Sequence, residues 1–286
     1  VYVFVLINGV WVEQAKLIAS DAANFDYFGY SVSVSGDTAV VGAYGKDAQT
    51  GSVYVFTRSG AVWTELTKLV ASDPGPGDWF GHSLSLDGDT LLIGAHRDDD
   101  QGSNSGSAYV FISSGGVWTE QAKLTASGGS SSDSFGISVS LSANTAVIGA
   151  ANDDSSGSVF VFTREANLWS PYAKLESDQG FIDEQFGRRV AISGDTMITG
   201  APGNDESGID HGMAYIFNFD IDGDVLTVIA VEGQALVSGQ TITLGAGALL
   251  TMNDDGTFVY DPNGQFDGTD EGDNESDDFT YTISDG

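Results

Sequence analysis

The sequence contains no cysteine and few cations, and each shortage excludes a class of function. Without cysteine there is no disulfide framework, thiolate nucleophile or zinc–thiolate site. Only 10 Lys and Arg stand against 41 Asp and Glu, so the formal net charge is −31. Nucleic-acid phosphates and anionic membrane surfaces repel such a chain. No apolar run approaches the roughly 18 residues that a transmembrane helix needs. We therefore expect no nucleic-acid partner and no direct membrane insertion of this segment.

A repeat of about 50 residues organises most of the chain. Apolar residues make up 41% and aromatic residues 11%, which is enough for a folded core. Phe-Gly recurs at Phe28, Phe80, Phe135 and Phe186, and Gly-Ala follows each Phe by 14 residues. An aromatic-Val/Ile-Phe triplet and a Trp recur in the same register. The triplets begin at Tyr2, Tyr54, Tyr109, Phe160 and Tyr215, and the tryptophans are Trp11, Trp63, Trp118 and Trp169.

Each repeat is predicted to form four short antiparallel strands. In the first complete repeat these are Phe28–Val34, Thr38–Ala43, Val53–Thr57 and Val62–Val70, joined by glycine-containing turns. All length variation lies between Gly-Ala and the triplet, in one variable loop. Four strands per 50 residues without helical periodicity is typical of a β-propeller blade, which buries its faces only against neighbouring blades. The repeated Phe and Trp are accordingly expected to pack between blades.

The repeats resemble a known family. The segments "DYFGYSVSVSGDTAVVGA…GSVYVF" and "EQFGRRVAISGDTMITGAPG…GMAYIF" are similar to FG-GAP repeats, the blades of integrin-α-type β-propellers and of many bacterial surface proteins. The resemblance covers residues 1–219 and implies an all-β propeller of four-stranded antiparallel blades. Integrin-type calcium sites need an expanded Asp-rich loop between the first two strands. Here that loop is a tight turn, such as Gly36-Asp37.

The number of blades has two interpretations. Residues 1–20 supply the last two strands of one blade, and Phe186–Phe219 supplies three strands of another. Either Trp11–Leu17 closes a four-bladed ring, or the first unit is truncated and further blades of the same polypeptide precede it. The additional strand at Tyr2–Phe4 favours the second interpretation.

Composition changes after Phe219. Residues 220–286 contain 15 acids and no Lys, Arg or His, whereas residues 1–219 carry 10 cations and 26 acids. Five apolar alternations predict a β-sandwich: Leu226–Val231, Thr241–Leu244, Leu249–Met252, Phe258–Tyr260 and Phe279–Ile283. Stretches such as "DIDGDVLTVIAVEGQ" and "NDDGTFVYDPNGQFDG" resemble the cadherin-like and VCBS-type modules of bacterial adhesins, so further modules of the same polypeptide are expected.

Calcium is the expected cofactor, because it accepts 6–8 oxygen ligands in flexible geometry. Alternating Asp220, Asp222 and Asp224 around Gly223 could turn several carboxylates onto one cation, although a solvated acidic turn is the alternative. A less specific cluster contains Asp267, Asp270, Asp273, Asp277 and Asp278. The variable loops add weaker candidate ligands, which are Asp98, Asp100, Asp153 and Asp205.

Catalysis finds little support in the sequence. His82, His96 and His211 fall at different repeat positions, and no motif provides a nucleophile with a base and an orienting group. Lys16, Lys68, Lys123 and Lys174 share one repeat position, where pairing with nearby acids is expected. The leading hypothesis is a secreted or cell-surface adhesion protein that binds an extracellular protein or polysaccharide. The alternatives are a polysaccharide-binding or carbohydrate-processing enzyme component, and a purely structural spacer.

Overall fold

The structure, a computed structural model, describes residues 1–177, 182–204 and 212–218, together with six short strands within residues 227–284. The chain divides into two compact units, Val1–Phe219 and Asp220–Gly286. The described residues are almost entirely β-structure, with short helical turns at Lys46–Gln49 and Asp153–Ser155 in two variable loops. No helix in these ranges is long and apolar enough to cross a membrane.

The first unit is a series of antiparallel sheets, as the repeat predicts. Strands β1 and β2 form an N-terminal hairpin, and three complete four-stranded blades and one three-stranded blade follow. The hairpin comprises β1 (Tyr2–Ile7) and β2 (Val10–Lys16). Blade 1 comprises β3 (Ser31–Ser35), β4 (Thr38–Ala43), β5 (Ser52–Ser59) and β6 (Val62–Leu69), and blade 2 comprises β7 (Ser83–Asp87), β8 (Thr90–Ala95), β9 (Ser107–Ser114) and β10 (Val117–Leu124). Blade 3 comprises β11 (Phe135–Ser142), β12 (Thr145–Ala150), β13 (Ser158–Glu165) and β14 (Leu168–Glu176), and blade 4 comprises β15 (Arg189–Ser193), β16 (Thr196–Ala201) and β17 (Met213–Asn218).

The two repeated glycines meet where neighbouring blades approach each other. A Cβ on Gly42 of blade 1 would lie 2.1 Å from the carbonyl oxygen of Gly81, which belongs to the Phe-Gly of blade 2. Gly94 and Gly149 are in the same relation to Gly136 and Gly187 of the next blade. The Phe-Gly glycines also adopt positive φ, at 87–93°. At the Gly-Ala of blades 1 to 3, glycine is therefore required because the backbone of the next blade lies too close for a Cβ. At Phe-Gly, the positive φ also favours glycine.

Serines on the first strand of blades 1 to 3 hold the next blade by hydrogen bonds. Ser83 donates through its hydroxyl to the carbonyl oxygen of Gly136, at 2.8 Å, and the hydroxyl of Ser85 accepts from the amide of Leu141, at 2.9 Å. The same two bonds join blade 1 to blade 2 and blade 3 to blade 4. The serines of the alternating Ser-x-Ser pattern thus form a ladder of hydrogen bonds to the next blade.

Aromatic residues fill the space between the blades. Phe80, Phe135 and Phe186 are fully buried, and each packs edge-to-face on the aromatic triplet of its own blade, with ring centroids 5.2–5.3 Å apart for the nearest pair. Each of the three apolar clusters combines residues of two neighbouring sheets. Trp63 and Trp169 also donate from Nε1 to a Gln of the preceding sheet. The prediction that these residues pack between blades is confirmed for Phe80, Phe135 and Phe186 and for Trp63, Trp118 and Trp169, but it is wrong for Trp11, which is exposed.

Strand β2 does not complete the last blade among the described residues. It pairs with β1, and the sheet of blade 4 has three strands. Trp11 on β2 is 67% exposed, in contrast to Trp169, which is 7% exposed. The four-bladed closure through Trp11–Leu17 is therefore not what this structure shows.

The second unit contains six described strands in two three-stranded antiparallel sheets. They are β18 (Thr227–Val231), β19 (Gln234–Ala235), β20 (Thr241–Thr243), β21 (Leu249–Met252), β22 (Phe258–Asp261) and β23 (Tyr281–Ser284). The sheets have the orders β19-β18-β23 and β20-β21-β22. Strands are observed at the five predicted alternations, and their assembly into a sandwich of the cadherin-like or VCBS type stays a prediction.

Candidate functional site

Antiparallel topology brings the loops that differ between blades to one end of the first unit. The loop between the second and third strands lies at the same end of a blade as the loop that leads into the next blade. The turns at the opposite end are short and nearly constant, such as Ser35-Gly36-Asp37 and Ser193-Gly194-Asp195. Residues at the variable end are therefore free to differ without disturbing the packing between blades.

A buried acid and a left-handed residue shape each loop before Phe-Gly. Asp78 is buried, and its carboxylate accepts a hydrogen bond from the amide of Gly75, at 2.6 Å. Asp26 and Asp133 make the corresponding bond in blades 1 and 3. The next residue has a positive φ of 55–61° in all four blades, although it is never glycine. These residues are Tyr27, Trp79, Ser134 and Gln185. Such a conformation costs of order 1 kcal/mol or more, so the surrounding structure must hold it.

The variable positions converge on one pocket that spans blades 1 to 4. Its cavity of about 550 Å³ lies within the roughly 300–1,000 Å³ range of small-molecule sites. Most of its lining residues come from positions directly beside Phe-Gly or Gly-Ala. The lining is Tyr30, Trp79, His82, His96, Arg97, Asn104, Ser132, Ser134, Ile137, Ala151, Asn152, Gln185 and Arg188.

Tyr30 and Trp79 place aromatic rings in the lining of this pocket, and both contact the ring of Tyr44. Tyr44 stacks on Tyr27 with centroids 4.9 Å apart, and its other neighbours are Trp79 at 4.7 Å and Tyr30 at 4.6 Å. The guanidinium of Arg97 lies 3.8 Å from the centroid of the Trp79 ring. This cation–π contact holds the charge of Arg97 at the pocket while leaving the side chain exposed.

Two buried histidines form the floor of the pocket. The rings of His82 and His96 lie 4.2 Å apart, and the side chains are only 8% and 6% exposed. Neither Nδ1 atom has a hydrogen-bond partner among the described residues. Burial, with the positive charges of Arg189, Arg188 and Arg97, lowers the pKa of His82 to about 4. Burial also lowers the pKa of His96, to about 3, so both rings are neutral at pH 7.

Lysines occupy the acidic clusters that the sequence predicts as weak calcium sites. Lys123 pairs with Asp98 at 3.0 Å, with Asp73 at 2.7 Å and with Asp100. Lys174 pairs with Asp153 at 2.8 Å and with Asp154 at 2.7 Å. These hydrogen bonds, opposed by burial, raise the pKa values of both lysines, so both are charged at neutral pH. The expected pairing with nearby acids is confirmed for Lys123, for Lys174 and for Lys68, which contacts Asp21 and Asp47. It is wrong for Lys16, which forms no ion pair among the described residues.

One group of acids has the geometry of a possible metal site. Carboxylate oxygens of Asp153, Asp154 and Glu176 lie within 4.8 Å of one another and could hold an ion. Lys174 contacts all three carboxylates at 2.7–2.8 Å, however, and already supplies a cation. A divalent ion would therefore have to displace the ammonium group.

The same loop position carries different groups in the four blades. It is Lys46 in blade 1, Asp98 and Asp153 in blades 2 and 3, and Asn204 in blade 4. Lys46 pairs with Asp26 at 2.9 Å, and the Asn204 amide donates to Glu184 at 2.8 Å. In blade 2 the carboxylate of Asp98 instead faces another acid, and burial together with this charge raises the pKa of Asp78 to about 6.

The other predicted calcium ligands lie outside the described residues. They are Asp205 of the last variable loop and, in the second unit, Asp220, Asp222, Asp224, Asp267, Asp270 and Asp273. The strongest sequence-predicted cluster therefore remains a prediction.

Sequence reasoning missed the pocket residues. His82 and His96 are 14 residues apart and at different repeat positions, but one follows Phe-Gly and the other follows Gly-Ala. Those two landmarks meet in the fold, so residues beside them converge. Of the five tryptophans, Trp79 is the only one outside the repeat register, which is a signal that the sequence already contains.

These blades and their shared variable end define the first unit as a β-propeller interaction domain. FG-GAP repeats match residues 11–56, 63–111, 118–162 and 169–217, and the chain belongs to the FG-GAP repeat family. A comparison with curated proteins finds no match. Propellers of this family are typically non-enzymatic and are common in extracellular proteins.

Proposed function

We propose that this chain is a non-enzymatic extracellular adhesion protein that binds its ligand in the pocket at the variable end of the blades. The observation that carries the proposal is the segregation of constant and variable positions. Constant residues such as Phe80 and Gly94 build the contacts between blades, whereas the residues beside them line the pocket. A scaffold that gathers variable residues around a cavity is suited to recognition.

The composition of the pocket favours binding over hydrolysis. A glycosidase needs two carboxylates on either side of the bond that it cleaves. No Asp or Glu is among the residues that line this cavity, although the chain has 41 acids. The neutral histidines have no carboxylate in the lining to orient them as a general base.

We further propose that the acidic second unit is a spacer that calcium stiffens. Its 15 acids have no Lys, Arg or His in the unit to neutralise them, so their repulsion must be reduced by ions from solution. The Asp220, Asp222 and Asp224 cluster is the first candidate for the ion. Plentiful calcium is a property of the extracellular environment that we propose for the protein.

The full chain, titrated against extracellular polysaccharides and peptides by calorimetry, tests the proposal. We expect a ligand whose binding is lost in Trp79→Ala and kept in Trp11→Ala, because Trp11 is an exposed tryptophan on the N-terminal hairpin. Release of reducing ends or of peptide fragments from a bound ligand would contradict the non-enzymatic function. Ligand binding that is unaffected by Trp79→Ala would contradict the location of the site.

A further inference from the structure

Arg97 and Arg188 are two of the five cations that form no ion pair among the described residues. Neither side chain has a carboxylate within 4.0 Å among the described residues, although both line the pocket. The cations that do have such a partner are Lys46, Arg58, Lys68, Lys123 and Lys174. In a chain with net charge −31, a cavity with two arginines and no lining acid is a local reversal of charge. Such a cavity is suited to an anionic group.

Resting on the proposed function, we propose that the pocket binds an acidic saccharide, with the carboxylate of a uronic acid held by Arg97 and Arg188. The planar guanidinium matches a carboxylate with two parallel hydrogen bonds. Arg97 is pre-positioned by the Trp79 ring at 3.8 Å, which reduces the entropy lost on binding. Arg189 lies close enough for its charge to act on His82, and adds to the positive potential of this end.

The floor of the pocket adds no charge of its own. Burial lowers the pKa of His82 and of His96, so both rings are neutral at pH 7. Their Nδ1 atoms are buried beneath the cavity surface and have no hydrogen-bond partner among the described residues. Recognition of sugar hydroxyls is therefore assigned to the side chains of the walls.

The walls also fit a polyhydroxylated ring. Asn104, Asn152 and Gln185 place neutral amides around the cavity, and amides both donate to and accept from hydroxyls. Tyr30, which is 52% exposed, also lines the cavity and offers a ring to the apolar face of a sugar. Charge recognition, hydroxyl recognition and an aromatic surface are thus combined within one cavity of about 550 Å³.

Calorimetry on the full chain with three probes tests this inference: trigalacturonate, its methyl ester and triglutamate. The ester keeps the sugar rings and removes the charge. We expect trigalacturonate to bind at least tenfold more tightly than either other probe, since a charged hydrogen bond contributes about 1.5–3 kcal/mol.

Arg97→Gln and Arg188→Gln should each weaken the binding of trigalacturonate at least tenfold. Arg58→Gln is the matched control, because Arg58 also lies over a tryptophan, 5.4 Å from Trp63, and outside the pocket. Its affinity should change less than twofold.

The outcomes separate this inference from the function on which it rests. Equal binding of trigalacturonate and its ester, tighter binding of triglutamate, or no binding of trigalacturonate would each overturn the acidic-saccharide inference. In the first two cases, loss of the binding in Trp79→Ala would still support a binding pocket. Release of reducing ends from bound trigalacturonate would contradict the non-enzymatic function and leave the ligand class standing.

Discussion

At the scale of single residues, a lysine ammonium takes the place that a metal ion would occupy in the loop clusters. Lys123 and Lys174 each contact three acids, and in blade 3 those acids are the one described group with metal-site geometry. The ammonium is part of the fold and is present at every calcium concentration. This is why acidic loops alone were a weak basis for predicting calcium in the blades.

The Lys174→Met variant should make the stability of the first unit sensitive to calcium. Without the ammonium, Asp153, Asp154 and Glu176 repel one another, and we expect a loss of about 1–3 kcal/mol in the free energy of unfolding in chelator. Calcium should restore part of this loss, as measured by thermal melting. Lys16→Met is the matched control, since Lys16 has the same repeat position and no acid within 4.0 Å among the described residues. If calcium stabilises Lys174→Met no more than the wild type, the acids do not form a latent site.

The buried histidines should make stability fall as the pH is lowered. The folded state holds His82 neutral down to about pH 4, whereas the unfolded chain takes up the proton near pH 6.5. The unfolded state therefore binds more protons between these values, and stability is lost as pH falls through that window. Asp78, whose pKa is raised to about 6, acts in the opposite direction. The contribution of His82 must be isolated by a variant.

His82→Gln removes the titrating ring and provides that isolation. From pH 7 to pH 5 the wild type should lose about 2 kcal/mol of unfolding free energy relative to His82→Gln. Denaturant melts of both proteins at the two pH values measure the difference. Parallel pH dependence of the two proteins would show that His82 is not held neutral by the fold.

At the scale of strands and blades, sequence periodicity was a reliable guide because each signal has a single physical cause. Alternation in "SVSVS" predicted β3, and the apolar "TAVVGA" predicted the buried strand β4. The serines of that alternation were interpreted only as the polar side of a strand. Their role as donors and acceptors to the next blade depends on a neighbour some 50 residues away, which periodicity within one strand cannot reveal.

The last blade departs from this ladder. Where blades 1 to 3 have serine at the first two ladder positions, blade 4 has Arg189 and Ala191. Alanine has no hydroxyl, and Arg189 donates to the backbone carbonyl of Arg188. Blade 4 therefore lacks the hydroxyl groups that make the first two inter-blade bonds in the preceding blades.

Gly94→Ala and Gly200→Ala should differ sharply in stability despite sharing one repeat position. A Cβ at Gly94 would lie 2.1 Å from the carbonyl oxygen of Gly136, so the two blades must separate. At Gly200 the added Cβ meets nothing within 4 Å. We expect a loss of about 3 kcal/mol or more for Gly94→Ala, and less than about 0.5 kcal/mol for Gly200→Ala.

Urea denaturation of the two glycine variants measures this difference. Similar losses in both would mean that glycine is required by its own strand and not by the neighbouring blade. A loss confined to Gly94→Ala would identify the close approach between blades as the reason for the repeated Gly-Ala.

At the scale of the whole molecule, the two units differ in how many cations they contain to neutralise their acids. Residues 1–219 carry 10 cations and 26 acids, and five of those cations form ion pairs in the described ranges. Residues 220–286 carry 15 acids and no internal cation. Composition alone predicted this contrast. It could not predict that two arginines would face a cavity without acids, because that depends on how four blades meet.

Calcium should therefore stabilise the chain mainly through its second unit. Extracellular modules bind calcium with Kd values of about 10⁻⁴–10⁻³ M, so 10 mM calcium should contribute about 1.4–2.7 kcal/mol to the free energy of unfolding. Melting of the full chain in calcium, in chelator and in sodium chloride of equal ionic strength separates specific binding from screening.

The combined change of Asp220, Asp222 and Asp224 to Asn should abolish the calcium-specific shift. The same change at Asp267, Asp270 and Asp273 removes equal charge and should leave most of it, because alternating carboxylates around Gly223 can converge on one ion. Equal loss in both variants would show that calcium acts by neutralising diffuse charge, and an unchanged melting temperature in calcium would contradict the proposed spacer.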